Sequence, residues 1–110
     1  EISKLFIDCG VICINSFVSP TKEIRKQAKN IIGEDDFIEV FIDVPLEVAE
    51  KRDVKGLYKK ARSGEIKNFT GVGSGFENPE NPDLIIDTDK LSIKEATNKL
   101  YQFVVNRISF

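Results

Sequence analysis

The 110 residues carry 16 Lys and Arg against 18 Asp and Glu, a net charge of -2, with 41% hydrophobic and 31% charged residues. That balance excludes a disordered tail and a broadly nucleic-acid-binding surface, and the length suits one domain with a thin margin of stability. No apolar run approaches the ~20 residues of a membrane span and Glu1-Ile2-Ser3-Lys4 opens no signal peptide, so a cytoplasmic address without membrane partners is expected.

Ile2, Leu5 and Phe6 fall at helical spacing with Gly10 behind them, which predicts the end of a helix closed by a left-handed glycine. Cys9 and Cys13, four apart in a chain with no His, form neither a zinc site nor a disulfide scaffold and are expected as small buried hydrophobes. Val11-Ile12-Cys13-Ile14 is a continuous apolar run and predicts a strand covered on both faces. Ser19-Pro20 offers a cap hydroxyl and a proline suited to the first helical position, and Ile24, Ala28, Ile31 and Ile32 continue a stripe to Gly33, predicting a helix over 20–32.

Phe37 to Val44 is β-branched and aromatic and predicts a second strand, stopped by Pro45, which has no N–H. A short helix follows Pro45, and Leu57 to Arg62 make another turn or two before Gly64. Gly71, Gly73, Gly75, Pro79 and Pro82 then mark an irregular segment long enough to be functional. Leu84-Ile85-Ile86 predicts a third buried strand. Ser92 and Glu95 form the capping box of a last helix carrying Ile93, Ala96, Leu100, Phe103 and Val104. Such alternation is the mark of an α/β parallel sheet with helical crossovers. Three strands leave apolar faces uncovered. With no Met in the chain and no cap ahead of its first helix, the expectation is a fragment that starts mid-domain.

Lys51, Arg52, Lys55, Lys59, Lys60, Arg62 and Lys67 are opposed in their own stretch only by Asp53 and Glu65, and Phe69-Thr70-Gly71-Val72-Gly73 follows at once. A lone charge run is most often a solvated helix face. Here cations that neutralise phosphates, an aromatic plane that stacks on a base and glycines that let a segment close combine into a nucleotide lid.

The run from Asp53 to Gly71, DVKGLYKKARSGEIKNFTG, closely resembles the lid of adenylylsulfate kinases. Ser16-Phe17-Val18-Ser19-Pro20 is similar to that family's S-F-I-S-P segment, Phe41 to Leu46 to its F-V-D-x-P-L strand end, and Glu77 to Pro82 to its E-x-P-E-x-P turn. The resemblance implies a P-loop kinase-like fold, incomplete here because the N-terminal strands and P-loop are absent, with residues 1–110 as the C-terminal portion of one domain and a lid at about 55–76. It implies ATP and Mg²⁺ as cosubstrate and metal, adenosine 5′-phosphosulfate as acceptor and its 3′-phosphorylated form as product. It places Val18, Ser19, Pro20, Lys22, Asn68 and Phe69 at the acceptor, with Phe69 stacked on adenine. Arg52, Lys55 and Ser92 fall near ATP, and Lys59, Lys60 and Arg62 serve as lid cations. Asn68 stands where the family usually has Gly, and Thr21 where a bulkier residue often follows S-P.

No G-x-x-x-x-G-K-[ST] occurs in these residues, so the phosphate nest and the Mg²⁺ ligands are expected upstream of residue 1, and the 110 residues alone are expected to be inactive. Ser19 invites a covalent, phosphoserine reading. In-line transfer needs no enzyme nucleophile, however, and a cap or ligand contact is favoured. Asp43, at a strand's carboxyl end, suits a ligand contact or a turn cap equally. Against the kinase stand a non-catalytic regulatory domain of a sulfurylase and a different small-molecule P-loop kinase, which the lid disfavours. A homodimer or a fusion to ATP sulfurylase is compatible with the family.

Overall fold

In the computed structural model, residues 1–108 are described, so the last two residues of the expected 1–110 unit lie outside the described residues. Helix α1 spans Ile2–Asp8. Its end is closed as the glycine signal predicts: Gly10 has φ +79°, its N–H donates to Ile7 O at 2.8 Å, and Val11 N–H donates to Phe6 O at 2.9 Å. Those two bonds satisfy carbonyls the last helical turn leaves orphaned.

Val11 to Ile14 do not form a strand. Residues 11–20 carry no regular structure, and Ile12 and Ile14 are 59% and 91% exposed. A strand needs a neighbour to complete its ladder, and among the described residues no strand pairs with this run. The cysteines also differ from expectation, Cys9 being exposed and Cys13 half-buried.

Helix α2 spans Lys22–Ile32. Its cap is Thr21, not Ser19. Thr21 is extended and its Oγ1 accepts from Ile24 N at 3.3 Å, whereas Ser19 has φ +43° and cannot offer its hydroxyl in cap geometry. Pro20 therefore sits before the cap and not inside the helix. A 3-10 turn at Glu34–Asp36 leads to strand β1, Val40–Asp43, shorter than the apolar pattern suggested. Helices α3, Leu46–Arg52, and α4, Leu57–Arg62, precede the irregular stretch. Strand β2, Leu84–Asp87, then pairs with β1 in parallel, with Val40 opposite Leu84 and Asp43 opposite Asp87. Helix α5, Ile93–Ile108, lies against β2 and opens on the predicted capping box. Ser92 N donates to Glu95 Oε2 at 2.8 Å, and Glu95 N donates to Ser92 Oγ at 3.2 Å. The Ser92 backbone N–H, and after it the Ser92 side chain, hold the Glu95 carboxyl below its ordinary value.

The sheet thus has two strands among the described residues where three were expected. Ile86 of β2 and Ala61 of α4 are the buried apolar residues among those described, while Ile42 and Ile85 keep about half their surface exposed. What the fold achieves is local: parallel pairing sends both carboxyl ends, Asp43 and Asp87, to the same edge.

Candidate functional site

A hollow of about 380 Å³ opens beyond the carboxyl end of β1, lined among others by Val44, Ala49, Arg52, Lys55, Tyr58 and Phe69. Parallel α/β sheets gather ligands at this edge because strand ends and the loops after them converge there. Its floor is apolar and its rim cationic.

Asp53 organises the rim. One carboxylate oxygen accepts from Tyr58 N and the other from Lys59 N, both at 3.0 Å, so two orphan N–H groups at the start of α4 are satisfied by one side chain. That fixes Tyr58, whose ring meets Phe69 edge to face, with centroids 5.0 Å apart and planes at 79°. Phe69 is half-buried, with one side against Tyr58 and the ring lining the hollow. Behind it the chain turns sharply: Val72, Gly73 and Ser74 all donate to Phe69 O. Asn68 has φ +56°, in the left-handed region that glycine adopts most readily and Asn tolerates better than most residues. This is why an Asn can stand at that position. Gly71 cannot be replaced so easily, since it has φ +92° and an added Cβ would meet Leu46 Cδ1 at 2.9 Å.

Arg52 and Lys55 are the cations that line the hollow, and the cations of the run from Arg52 to Arg62 differ in how they are held. Arg52 donates to Thr88 O at 2.8 Å, and Arg62 pairs with Glu50. Lys55, Lys59 and Lys60 are exposed and have no carboxylate partner among the described residues. Unpaired positive charge beside an apolar floor is the arrangement that receives a phosphorylated, planar ligand.

The remaining sequence candidates lie elsewhere. Val18, Ser19, Pro20 and Lys22 do not line the hollow but meet the far end of the irregular stretch. Glu77 N donates to Pro20 O at 2.8 Å, Lys22 N to Glu77 Oε1 at 3.3 Å, and Lys22 Nζ pairs with Glu80 at 2.7 Å. That last bond holds the Glu80 carboxyl below its ordinary value. Ser92 is engaged in the cap of α5 and is absent from the walls of the hollow. Asp43 is exposed, and its carbonyl accepts from Thr88 N at 2.9 Å and Thr88 Oγ1 at 3.3 Å. Tyr58 and Arg25 escaped the sequence reading. Tyr58 lay inside the lid run, one turn from Lys55, and Arg25 follows the capping Thr21 by four positions, on the helix face that points back toward Ser19.

The family model for adenylylsulphate kinase matches residues 1–87 of this chain. The chain belongs to the adenylylsulfate kinase family. The adenylyl-sulfate kinase of Bacteroides thetaiotaomicron is 58% identical over 108 residues, covering 98% of this chain and 54% of that protein. The probable adenylyl-sulfate kinase of Halalkalibacterium halodurans is 52% identical over 104 residues, covering 94% of this chain and 52% of that protein. The chain therefore spans about half the length of the curated relatives it matches. Among solved structures, the adenylylsulfate kinase CysC of Mycobacterium tuberculosis, in complex with AMPPNP and APS, superposes with a TM-score of 0.87 at 40% identity, covering 94% of this chain and 60% of that one. The α/β architecture is thus that of adenylylsulfate kinases.

Proposed function

We propose that this chain is the C-terminal portion of an adenylylsulfate kinase domain, which transfers the γ-phosphoryl group of ATP to the 3′-hydroxyl of adenosine 5′-phosphosulfate. The observation that carries the reading is the hollow at the carboxyl end of β1, where Phe69, Arg52 and Lys55 meet in a member of that kinase family. The neighbouring solved structure holds AMPPNP and APS, an ATP analogue and the acceptor, and so fits the same chemistry.

In the transfer a bond forms between the 3′-oxygen and the γ-phosphorus as the bond to the β–γ bridging oxygen breaks. Catalysis of this kind is mostly alignment and charge neutralisation. Phe69 stacks on the acceptor adenine, with Asn68 beside it and Val18, Ser19, Pro20 and Lys22 forming the other wall. Arg52 and Lys55 face the ATP side, with Ser92 further along. Lys59, Lys60 and, once released from Glu50, Arg62 bring positive charge over the phosphates as residues 55–76 close. Ser19 acts as a ligand contact and not as a phosphorylated intermediate, since direct in-line transfer needs no nucleophile from the enzyme.

Mg²⁺ bound with ATP neutralises charge on the phosphates. Its ligands are proposed to lie in the upstream portion of the kinase domain and not among these residues. No helix among the described residues is long and apolar enough to cross a membrane. The proposal extends to a cytoplasmic enzyme that works as a homodimer or fused to an ATP sulfurylase; the denatured mass of the full-length polypeptide tests the fusion and light scattering on the native protein tests the dimer.

The test compares the 110-residue chain with the same chain preceded by the upstream portion of a kinase domain. Coupled assays should show 3′-phosphorylation by the longer protein only. Turnover by the 110 residues alone would show that the catalytic machinery has been misplaced, and its absence from a folded longer protein would defeat the kinase reading.

A further inference from the structure

Ser19 has φ +43°, a left-handed backbone that a side chain other than glycine adopts at a cost, and it is followed by Pro20, whose ring drives the preceding residue toward extended conformations. Two local preferences therefore oppose the observed geometry. Such a residue persists only where its surroundings over-determine it. The bond from Glu77 N to Pro20 O is one restraint. The other is Arg25, whose Nη1 donates to Ser19 O at 2.6 Å.

Arg25 does more than hold one carbonyl. Its Nη2 donates to Glu77 O, its Nε lies 3.9 Å from Glu39 Oε2, and its guanidinium carbon sits 5.4 Å over the Phe76 ring. Phe76 in turn stacks on Phe41 of β1, with centroids 6.1 Å apart and planes at 10°. The Arg25 side chain is only 11% exposed. One planar group therefore joins three pieces: the acceptor segment at Ser19, the root of the lid at Phe76 and Glu77, and the approach to β1 at Glu39. A lysine could answer one of these acceptors but not all, because its ammonium lacks the rigid fork.

We propose that Arg25 is a positioning residue for the acceptor nucleotide, fixing the Ser19 backbone and tying it to the lid root so that the two acceptor walls keep one spacing. The role rests on the kinase reading above. Arg25 touches no substrate itself and acts through Ser19 and Glu77.

The test uses Arg25→Lys and Arg25→Ala in the full-length kinase, with initial rates measured against each substrate and hydrogen exchange followed at the Glu77 and Lys22 amides. Losing a charge-assisted bond that sets the wall should raise the acceptor KM about tenfold, with the ATP KM moving by less than about twofold. Exchange at Glu77 and Lys22 should accelerate in both variants. An unchanged acceptor KM overturns the proposal, and so does a parallel rise of both KM values with a lowered melting temperature, which marks general destabilisation. If Arg25→Ala does not fold, Arg25→Lys decides by the same criteria. An unsubstituted enzyme that folds but does not phosphorylate the acceptor defeats the kinase reading, and Arg25 is then judged on exchange: faster exchange at Glu77 upholds the tie and unchanged exchange removes it.

Discussion

Lys22 and Arg25 in the first turns of α2, and the run from Lys51 to Lys67, are both rich in positive charge, yet the fold treats them in opposite ways. Lys22 is paired with Glu80, and Arg25 is spread over two carbonyls, a carboxylate and an aromatic face. Lys51, Lys55, Lys59, Lys60 and Lys67 have no carboxylate partner among the described residues, and only Arg52 and Arg62 in that run are held by the protein. Cations answered inside the protein build structure, whereas cations left to solvent, Lys55 among them on the wall of the apolar hollow, are available to a ligand. The two regions are linked through the irregular stretch, which begins at the unpaired cations and ends on the satisfied ones at Glu77 and Glu80.

The sharpest way to break that comparison is Lys55→Ala in the full-length protein. Lys55 has no partner to lose, so the melting temperature should hold. A charged hydrogen bond to phosphate is worth ~1.5–3 kcal/mol, and ATP affinity should fall about 10- to 150-fold. Calorimetric titration with an ATP analogue beside a thermal melt reads both, and an unaltered affinity would return the run to the status of a solvated face.

Phe69→Ala comes next, and it probes the apolar floor between the cations. Stacking on a base is typically worth ~1–3 kcal/mol, so acceptor affinity should fall roughly 5- to 150-fold with ATP affinity much less affected. The half-buried position and the edge contact with Tyr58 also call for a melt, because loss of that contact carries ~0.5–1.5 kcal/mol of its own. A collapsed melt, or undiminished acceptor binding, would take Phe69 out of the site.

The smallest effect is expected at Ser92, which separates a cap from an ATP contact. If the cap is its whole role, Ser92→Ala should cost about 1 kcal/mol of stability and leave ATP affinity unchanged. Its pH dependence has a definite sign. The Glu95 carboxyl is held below its ordinary value in the folded chain, so the cap's contribution is complete above the unfolded carboxylate range and is lost as pH falls through the depressed folded value. Urea unfolding from neutral to acid pH should show that acid-side loss in the parent and a weaker one in Ser92→Ala. A fall in ATP affinity without a fall in stability would instead assign Ser92 to the nucleotide.

The features legible in the sequence were those decided within a turn or two of chain. Gly10 closing α1, Pro45 ending β1, and the Ser92–Glu95 box opening α5 each depend on neighbours no more than about four residues away, and each is found where its residues put it. The long match from Asp53 to Gly71 carried the family for a related reason: so many side chains in fixed order are specific without knowledge of what they touch. The cap of α2 shows where local reading stops. Ser19 and Thr21 are both good capping residues, and the choice between them turned on a backbone twist at Ser19 that no propensity foresees. Val11 to Ile14 failed for a different reason, since apolar residues report a wish for cover and not whether a neighbouring strand supplies it.

By itself, then, the sequence determined the family, the order of helices and the two paired strands, and the clustering of cations with Phe69, because these follow from residue type and short spacing. The tertiary structure decided which cations are satisfied and which are not, that Arg52, Lys55 and Phe69 share one hollow, and that Arg25 reaches Ser19 and Glu77 at once. Arg25 and Glu77 are 52 positions apart, and a bond across that distance depends on the tertiary fold, in which the segments ahead of β1 and β2 lie side by side, and not on short spacing.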